Sequence, residues 1–226
     1  LALCAALVMS TQAAAAELPQ RWVSAGGAVS EWISALGGEQ RLVGVDTTSQ
    51  HPDALTALPS IGYQRQLSAE GILSLRPDLL VGTDEMGPPP VLTQIRQAGV
   101  RVEVFSSKAE LAALDANLEK LGRLLGEEGR AGLLAGQFHH ELNAVQTKLK
   151  QAQAAQKAPG VLLLVGHAGA KPLIAGAGTA GDWLLGQAGG RNLAMHQGYK
   201  NFSVEALAAL DPDVIVIADR SLSGEQ

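Results

Sequence analysis

A chain of 226 residues can fill one large or two small domains, and a formal net charge of −5 without a stripe of Lys and Arg excludes a nucleic-acid binder. Hydrophobic residues make up 46% and aromatics only 4%, so the core is aliphatic and each aromatic carries information.

In chain order, Leu1 to Val8 is an apolar run too short to cross a bilayer, and Ala13-Ala14-Ala15-Ala16 offers the small residues that signal peptidase needs. Residues 1–16 therefore read as part of a secretion signal, and cleavage leaves a mature chain from about Glu17 that does not insert into a membrane. Cys4, the one cysteine, lies inside that segment, so no disulfide or thiolate chemistry is expected of the mature protein. Residues 17–107 read as an N-terminal α/β lobe. Within it, Ser24 to Gly38 (SAGGAVSEWISALGG) is a small-residue loop opening a helix that a Gly pair closes.

Residues 67–86, LSAEGILSLRPDLLVGTDEM, then set out a pattern that recurs at 202–221 as FSVEALAALDPDVIVIADRS. Ser68 aligns with Ser203, Glu70 with Glu205, Pro77 with Pro212 and Asp78 with Asp213, and a Gly-Tyr pair precedes each copy (Gly62-Tyr63, Gly198-Tyr199). A repeat of this length marks a duplicated structural unit. Each copy predicts a short helix behind a Ser N-cap, with a first-turn Glu that suits the helix dipole. The helix stops at Pro77 or Pro212, and the run LLVG or VIVI reads as a buried parallel strand. Ligands of open α/β sheets sit beyond the carboxyl ends of such strands, so Thr83 to Met86 and Asp219 to Ser221 are the first places to look for a site.

After the first copy, a helix over Val91 to Ala98 and a strand over Val100 to Phe105 complete the first lobe. Residues 108–157 are rich in Ala, Leu, Glu, Gln and Lys and free of proline, with Leu114, Leu118, Leu121 and Leu125 at helical spacing. They predict a linker of two helices, about 109–125 and about 128–156, broken at Gly126 and Gly132. The second helix would be roughly 43 Å long, a stiff strut between lobes.

Residues 158–226 read as a C-terminal α/β lobe. There Ala175 to Gly190 (AGAGTAGDWLLGQAGG) echoes the first Gly loop, Asp182-Trp183 answering Glu31-Trp32. The spacing Gly176-x-Gly178-x-x-Gly181 matches a dinucleotide fingerprint, but about 20 positions on, where an acidic residue would confirm it, stands Met195-His196-Gln197. The duplication implies a further helix and strand beyond Arg220, which marks this lobe as truncated.

Two α/β lobes, a secretion signal and the S-x-E-x-[IL]-x-x-L-x-P-D repeat resemble the helical-backbone (class III) periplasmic substrate-binding proteins of ABC importers, which serve haem, cobalamin and ferric siderophores. The resemblance runs from about Arg21 to Arg220. It implies two Rossmann-like lobes with central parallel sheets joined by a long α-helix, and a monomer that binds its cargo between the lobes. The segment Gly62-Tyr63-Gln64-Arg65-Gln66-Leu67 is similar to the periplasmic haem-binding subfamily, where a tyrosine in this loop ligates ferric haem; by position that is Tyr63. A phenolate is a hard donor suited to Fe(III), and a guanidinium such as Arg65 nearby favours an anionic donor.

Further haem-pocket candidates are Met86, for a porphyrin face; Tyr199 and Lys200, the second-lobe counterparts of Tyr63 and Gln64, expected to face the same cleft; Arg220, for a propionate; and His167, after the strand Val161 to Val165. The other histidines (His51, His139, His140, His196) form no metal-ligand cluster in the sequence, and His139-His140 lies in the strut, where neighbours point apart. The resemblance also implies that Glu70 and Glu205 dock on arginines of a dimeric inner-membrane permease, whose symmetry suits a duplicated patch. No nucleophile elbow, HExxH or cysteine nucleophile is present, so a transported cargo is expected and catalysis is not. The alternatives are the same fold carrying cobalamin or a ferric siderophore, a secreted nucleotide-dependent enzyme using the Gly176 loop, and a haem scavenger without a transporter.

Overall fold

The computed structural model describes residues 18–153, 157–166, 172–201 and 203–219. The chain divides into two compact units. Unit 1 holds the described residues up to Gly82, Met86–Glu103 and Arg123–Gly126; unit 2 holds Thr83–Glu85, Val104–Gly122 and the described residues from Glu127 onward. The secretion-signal expectation falls on residues 1–16, outside the described set. Among the described residues, no helix is long and apolar enough to cross a membrane.

The first sheet has four strands: β1 (Trp22–Ala25), β2 (Leu42–Val45), β3 (Leu79–Thr83) and β4 (Arg101–Phe105), in the order β2-β1-β3-β4. β2 and β3 both run parallel to β1. The Arg101 N–H donates to the Asp78 carbonyl at the start of β4 and the Asp84 N–H to the Phe105 carbonyl at its end, so β4 runs the same way. β1 is buried throughout and β3 nearly so, as continuous apolar runs in a parallel sheet should be. Helices α1 (Gly27–Ala35), α2 (Ala69–Ser74) and α3 (Pro89–Gln97) form the crossovers. Ile72 of α2 and Leu92 and Ile95 of α3 pack with Val23, Leu80 and Val100 into one core cluster. α3 starts at Pro89, two residues before the expected Val91, because a proline fits the first turn of a helix.

Two helices follow, α4 (Leu111–Leu125) and α5 (Glu128–Gln153). The break between them falls at Gly126, whose φ of 74° needs a residue without a side chain. Gly132, expected to share in the break, lies inside α5, where a helix tolerates a glycine at a cost of about 1 kcal/mol. The described part of α5 has 26 residues, about 39 Å of helix.

In unit 2, β5 (Gly160–Gly166) is the hub of five strands, with β6 (Leu173–Ala175), β7 (Arg191–Asn192), β8 (Tyr199–Asn201) and β9 (Val214–Asp219). β9 and β7 run parallel to β5, but β6 is antiparallel to β5 and β8 to β6. The expected all-parallel second sheet is therefore a mixed one. The physical reason is chain length: only residues 167–172 separate β5 from β6, too few for the crossover a parallel neighbour requires. Val161 and Leu163 pack with Ala175 and with Leu185 of α6 (Ala180–Gln187), while Leu162 joins Ile174 and Ala194, backed by Leu207 of α7 (Val204–Ala209). β9 pairs with β5 along its whole length. Val214 to Ile217 are 37–60% exposed, because pairing with β5 satisfies the backbone but none of the described elements covers these side chains.

The repeat has one geometry in both units. Ser68 and Ser203 accept hydrogen bonds from the backbone N–H of Gly71 and Ala206, the expected N-caps. The helices end earlier than their prolines require, because Arg76 and Asp211 adopt left-handed φ values of 48° and 46°. The Pro-Asp carboxylates then tie each returning strand to its neighbour. Asp78 accepts from the N–H of Gln20 (2.8 Å) and Arg21 (3.0 Å) and donates its own N–H to the Arg21 carbonyl. Asp213 accepts from the Gly160 N–H (2.6 Å) and donates to the Gly160 carbonyl. The second echo holds as well: the N–H of Gly38 and Gly190, each second of its Gly pair, donates to the carbonyls of Ile33 and Leu185 and closes α1 and α6.

Candidate functional site

The strand order of the first sheet fixes where to look. The chain runs from β1 outward to β2 and then back across to β3, so the order switches between β1 and β3. At such a switch point the exits of neighbouring strands diverge and open a crevice at their carboxyl ends, where ligands of open α/β sheets bind.

Tyr63 stands on a tight turn at this end of the sheet. The segment before it runs parallel to β2 through a bridge between Val45 and Ser60 and leaves the sheet at the same end as β1, β2 and β3. Gln66 N–H donates to the Tyr63 carbonyl at 2.8 Å and closes the turn, with Gln64 and Arg65 at its centre. Three segments hold it. Thr47 N–H, beyond β2, donates to the Gly62 carbonyl (3.0 Å); Gly87 N–H, beyond β3, donates to the Gln64 carbonyl (2.9 Å); Leu67 N–H returns a bond to the Gly87 carbonyl (2.8 Å). Beyond β1, the Gln64 side chain rests on Gly26: a Cβ there would stand 2.8 Å from Gln64 Oε1, and its φ of 129° is open only to glycine. The turn thus spans the exits of β1, β2 and β3. It presents the Tyr63 ring 38% exposed, with Arg65 also exposed two residues on.

Beneath the turn lies a buried polar cluster. Asp46, 2% exposed and directly after β2, accepts from Gly26 N–H (3.0 Å), Thr48 Oγ1 (2.8 Å) and Ser49 Oγ (2.8 Å). Thr48 Oγ1 in turn accepts from Gly27 N–H at the start of α1, and Ser49 Oγ meets Ser30 Oγ, which donates to Ser24 Oγ. The run Asp46-Thr47-Thr48-Ser49 behind an apolar strand is a recognisable turn signal. Sequence reasoning passed it over because nothing in it shows which loop it would support.

The remaining expected site residues are placed as follows. Met86 is 5% exposed in the core of unit 1, where its Sδ fills the space beside Gly82 and it packs in one cluster with Ile61 and Leu67, which flank the Tyr63 turn. Tyr199 and Lys200 are both exposed on β8. As consecutive strand residues they point to opposite faces of β8. His167 and Arg220 lie outside the described residues. Glu70 and Glu205 are exposed at the same position of α2 and α7, in the first turn behind the capping serines. The Glu205 carboxyl is held below its usual range by its own backbone N–H and then by the Ser203 hydroxyl, slightly opposed by desolvation. His139 bonds Asp115 on α4 at 2.8 Å, and among the described residues no group of three metal-ligating side chains occurs.

This geometry defines a binding protein of two α/β units built on one repeated helix–strand element. Residues 23–226 match the family described as periplasmic binding protein, and the chain belongs to that family. It is 62% identical to a solved periplasmic heme-binding protein from Pseudomonas aeruginosa, with a TM-score of 0.87 over 92% of this chain and 75% of that one. The periplasmic heme-binding protein HutB of Vibrio cholerae is 38% identical, with a TM-score of 0.77 over 90% of this chain and 77% of that one. Among curated sequences, the vitamin B12-binding protein of Vibrio parahaemolyticus serotype O3:K6 is 23% identical over 224 residues, covering 97% of this chain and 78% of that one.

Proposed function

We propose that this chain is a periplasmic carrier that captures ferric haem, with Tyr63 as the axial donor to iron, and delivers it to an ABC importer of the inner membrane. The observation that carries the reading is the exposed Tyr63 ring on a turn fixed at the switch point of the first sheet. A phenol oxygen held there is a hard donor suited to Fe(III), and the metal's charge itself stabilises the phenolate. Arg65 adds positive charge on the same turn, and a nearby guanidinium favours an anionic oxygen. The haem-binding neighbours at 62% and 38% identity support haem over cobalamin, whose named carrier stands at 23%. Tyr199, the counterpart of Tyr63 on unit 2, with Lys200, His167 and Arg220 complete the candidate set. Glu70 and Glu205, at matching positions of the duplicated helices, dock on a permease dimer. The carrier is exported by its N-terminal signal and works as a monomer.

The test is a titration of ferric haem into the parent and into Tyr63→Phe, followed by visible absorption. A saturable one-to-one complex with a phenolate-type high-spin spectrum, lost in the variant, is expected. An unchanged spectrum in Tyr63→Phe would move the donor elsewhere, and no haem binding by the parent would shift the cargo to cobalamin or a siderophore. In vesicles carrying the importer, reversing the charge at Glu70 and Glu205 should abolish stimulation of ATP hydrolysis by the haem-loaded carrier.

A further inference from the structure

We infer that Asp46 is a positioning residue for the Tyr63 donor, an inference that rests on the reading of Tyr63 as iron ligand. Asp46 does not hydrogen-bond Tyr63; it acts through two of the points where the Tyr63 turn rests on the sheet. One is Thr47, its neighbour in the chain, whose N–H donates to the Gly62 carbonyl directly before Tyr63. The other is Gly26, whose N–H the Asp46 carboxylate accepts at 3.0 Å and on which Gln64 rests directly after Tyr63. Both flanks of the donor therefore sit on backbone that one side chain holds.

The choice of a carboxylate at this point needs explaining. Burying an anion is costly unless its oxygens are fully engaged. Asp46 engages both: Oδ1 takes Gly26 N–H and the Ser49 hydroxyl, and the Thr48 hydroxyl lies within reach of both oxygens. The N-terminal end of α1 adds a favourable dipole, since Gly26 is its N-cap and Thr48 Oγ1 receives the Gly27 N–H. A carboxylate accepts from all these donors at once, because it has no hydrogen to turn against any of them. An asparagine must present an NH2 group to one of them. The network thus locks the exits of β1 and β2 to each other, while the bonds from Gly87 N–H to the Gln64 carbonyl and from Ile61 N–H to the Val45 carbonyl hold the Tyr63 segment independently of it.

The experiment compares parent, Asp46→Asn and Asp46→Ala by amide hydrogen exchange of the apoprotein and by haem spectrum and release rate. Faster exchange at Thr47 and across residues 61–67 is expected, with β3 amides still protected. The variant haem complex should show an altered phenolate-to-iron charge-transfer band, with haem passing to a scavenger protein roughly fivefold faster, the equivalent of one weakened hydrogen bond. Parent-like exchange at Thr47 and 61–67 in a folded variant overturns the inference whether or not haem binds. So does faster exchange that leaves spectrum and release unchanged. Should the alanine variant not fold, Asp46→Asn carries the same test with the same expected directions. A parent that takes up no haem sinks the Tyr63 reading instead, while exchange still decides whether Asp46 holds the turn.

Discussion

Asp78 and Asp213 hold the same place in the two repeats, yet their replacement by alanine should have unequal effects. Asp78 accepts from two backbone N–H groups, those of Gln20 and Arg21, both on exposed residues. Water can take over when the carboxylate is removed, so each lost bond sits near the low end of the range, about 1 kcal/mol, and the total is about 2 kcal/mol. Asp213 accepts from only one, but that N–H belongs to buried Gly160 at the start of the hub strand. Left without a partner, it carries the desolvation penalty of a buried donor in addition to the lost charged bond, about 3 kcal/mol together. The residue with fewer bonds should therefore matter more. Urea unfolding followed by far-ultraviolet circular dichroism gives the global loss, and hydrogen exchange of β1 and β5 assigns it to a unit. A loss in Asp78→Ala equal to or larger than that in Asp213→Ala would refute the argument that burial of the donor decides the cost.

The other predictions use the same repeat. Arg76 and Asp211 occupy left-handed backbone at φ 48° and 46°, which costs an L-residue on the order of 1 kcal/mol and glycine nothing. Arg76→Gly and Asp211→Gly should each raise stability by about 0.5 kcal/mol after the added freedom of the unfolded chain is counted, read as a higher thermal midpoint; a lower midpoint would show that these side chains hold more than their backbone geometry. Glu205, with its folded pKa below the usual 4.5, contributes stability that is fully present above 4.5 and lost as pH falls through the lowered value. An NMR titration should show Glu205 ionising at lower pH than an unperturbed glutamate. Ser203→Ala should move it upward, and an unmoved titration would remove the hydroxyl from the explanation.

Much of the fold was legible because local chemistry and tertiary role coincide. The serine caps, the Gly pairs and the Pro-Asp turns act on backbone within a few residues, so their pattern reads the same in a sequence and in a folded chain. Tyr63 was singled out through the resemblance of the segment from Gly62 to Leu67 to the haem-binding subfamily. Met86 was open to two readings because a methionine after a strand suits a core and a ligand pocket equally; where its side chain packs, beside Gly82, was not legible in the sequence.

By itself, the sequence determined the duplication, the elements and the residue types at the strand ends, since each depends on propensities and spacings that act locally. The tertiary structure alone decided that the second sheet is mixed and that a buried aspartate underlies the Tyr63 turn. These are matters of which segments meet. Asp46, Gly26, Gly62 and Gly87 come together only when β1, β2 and β3 lie side by side, and no local pattern carries that encounter.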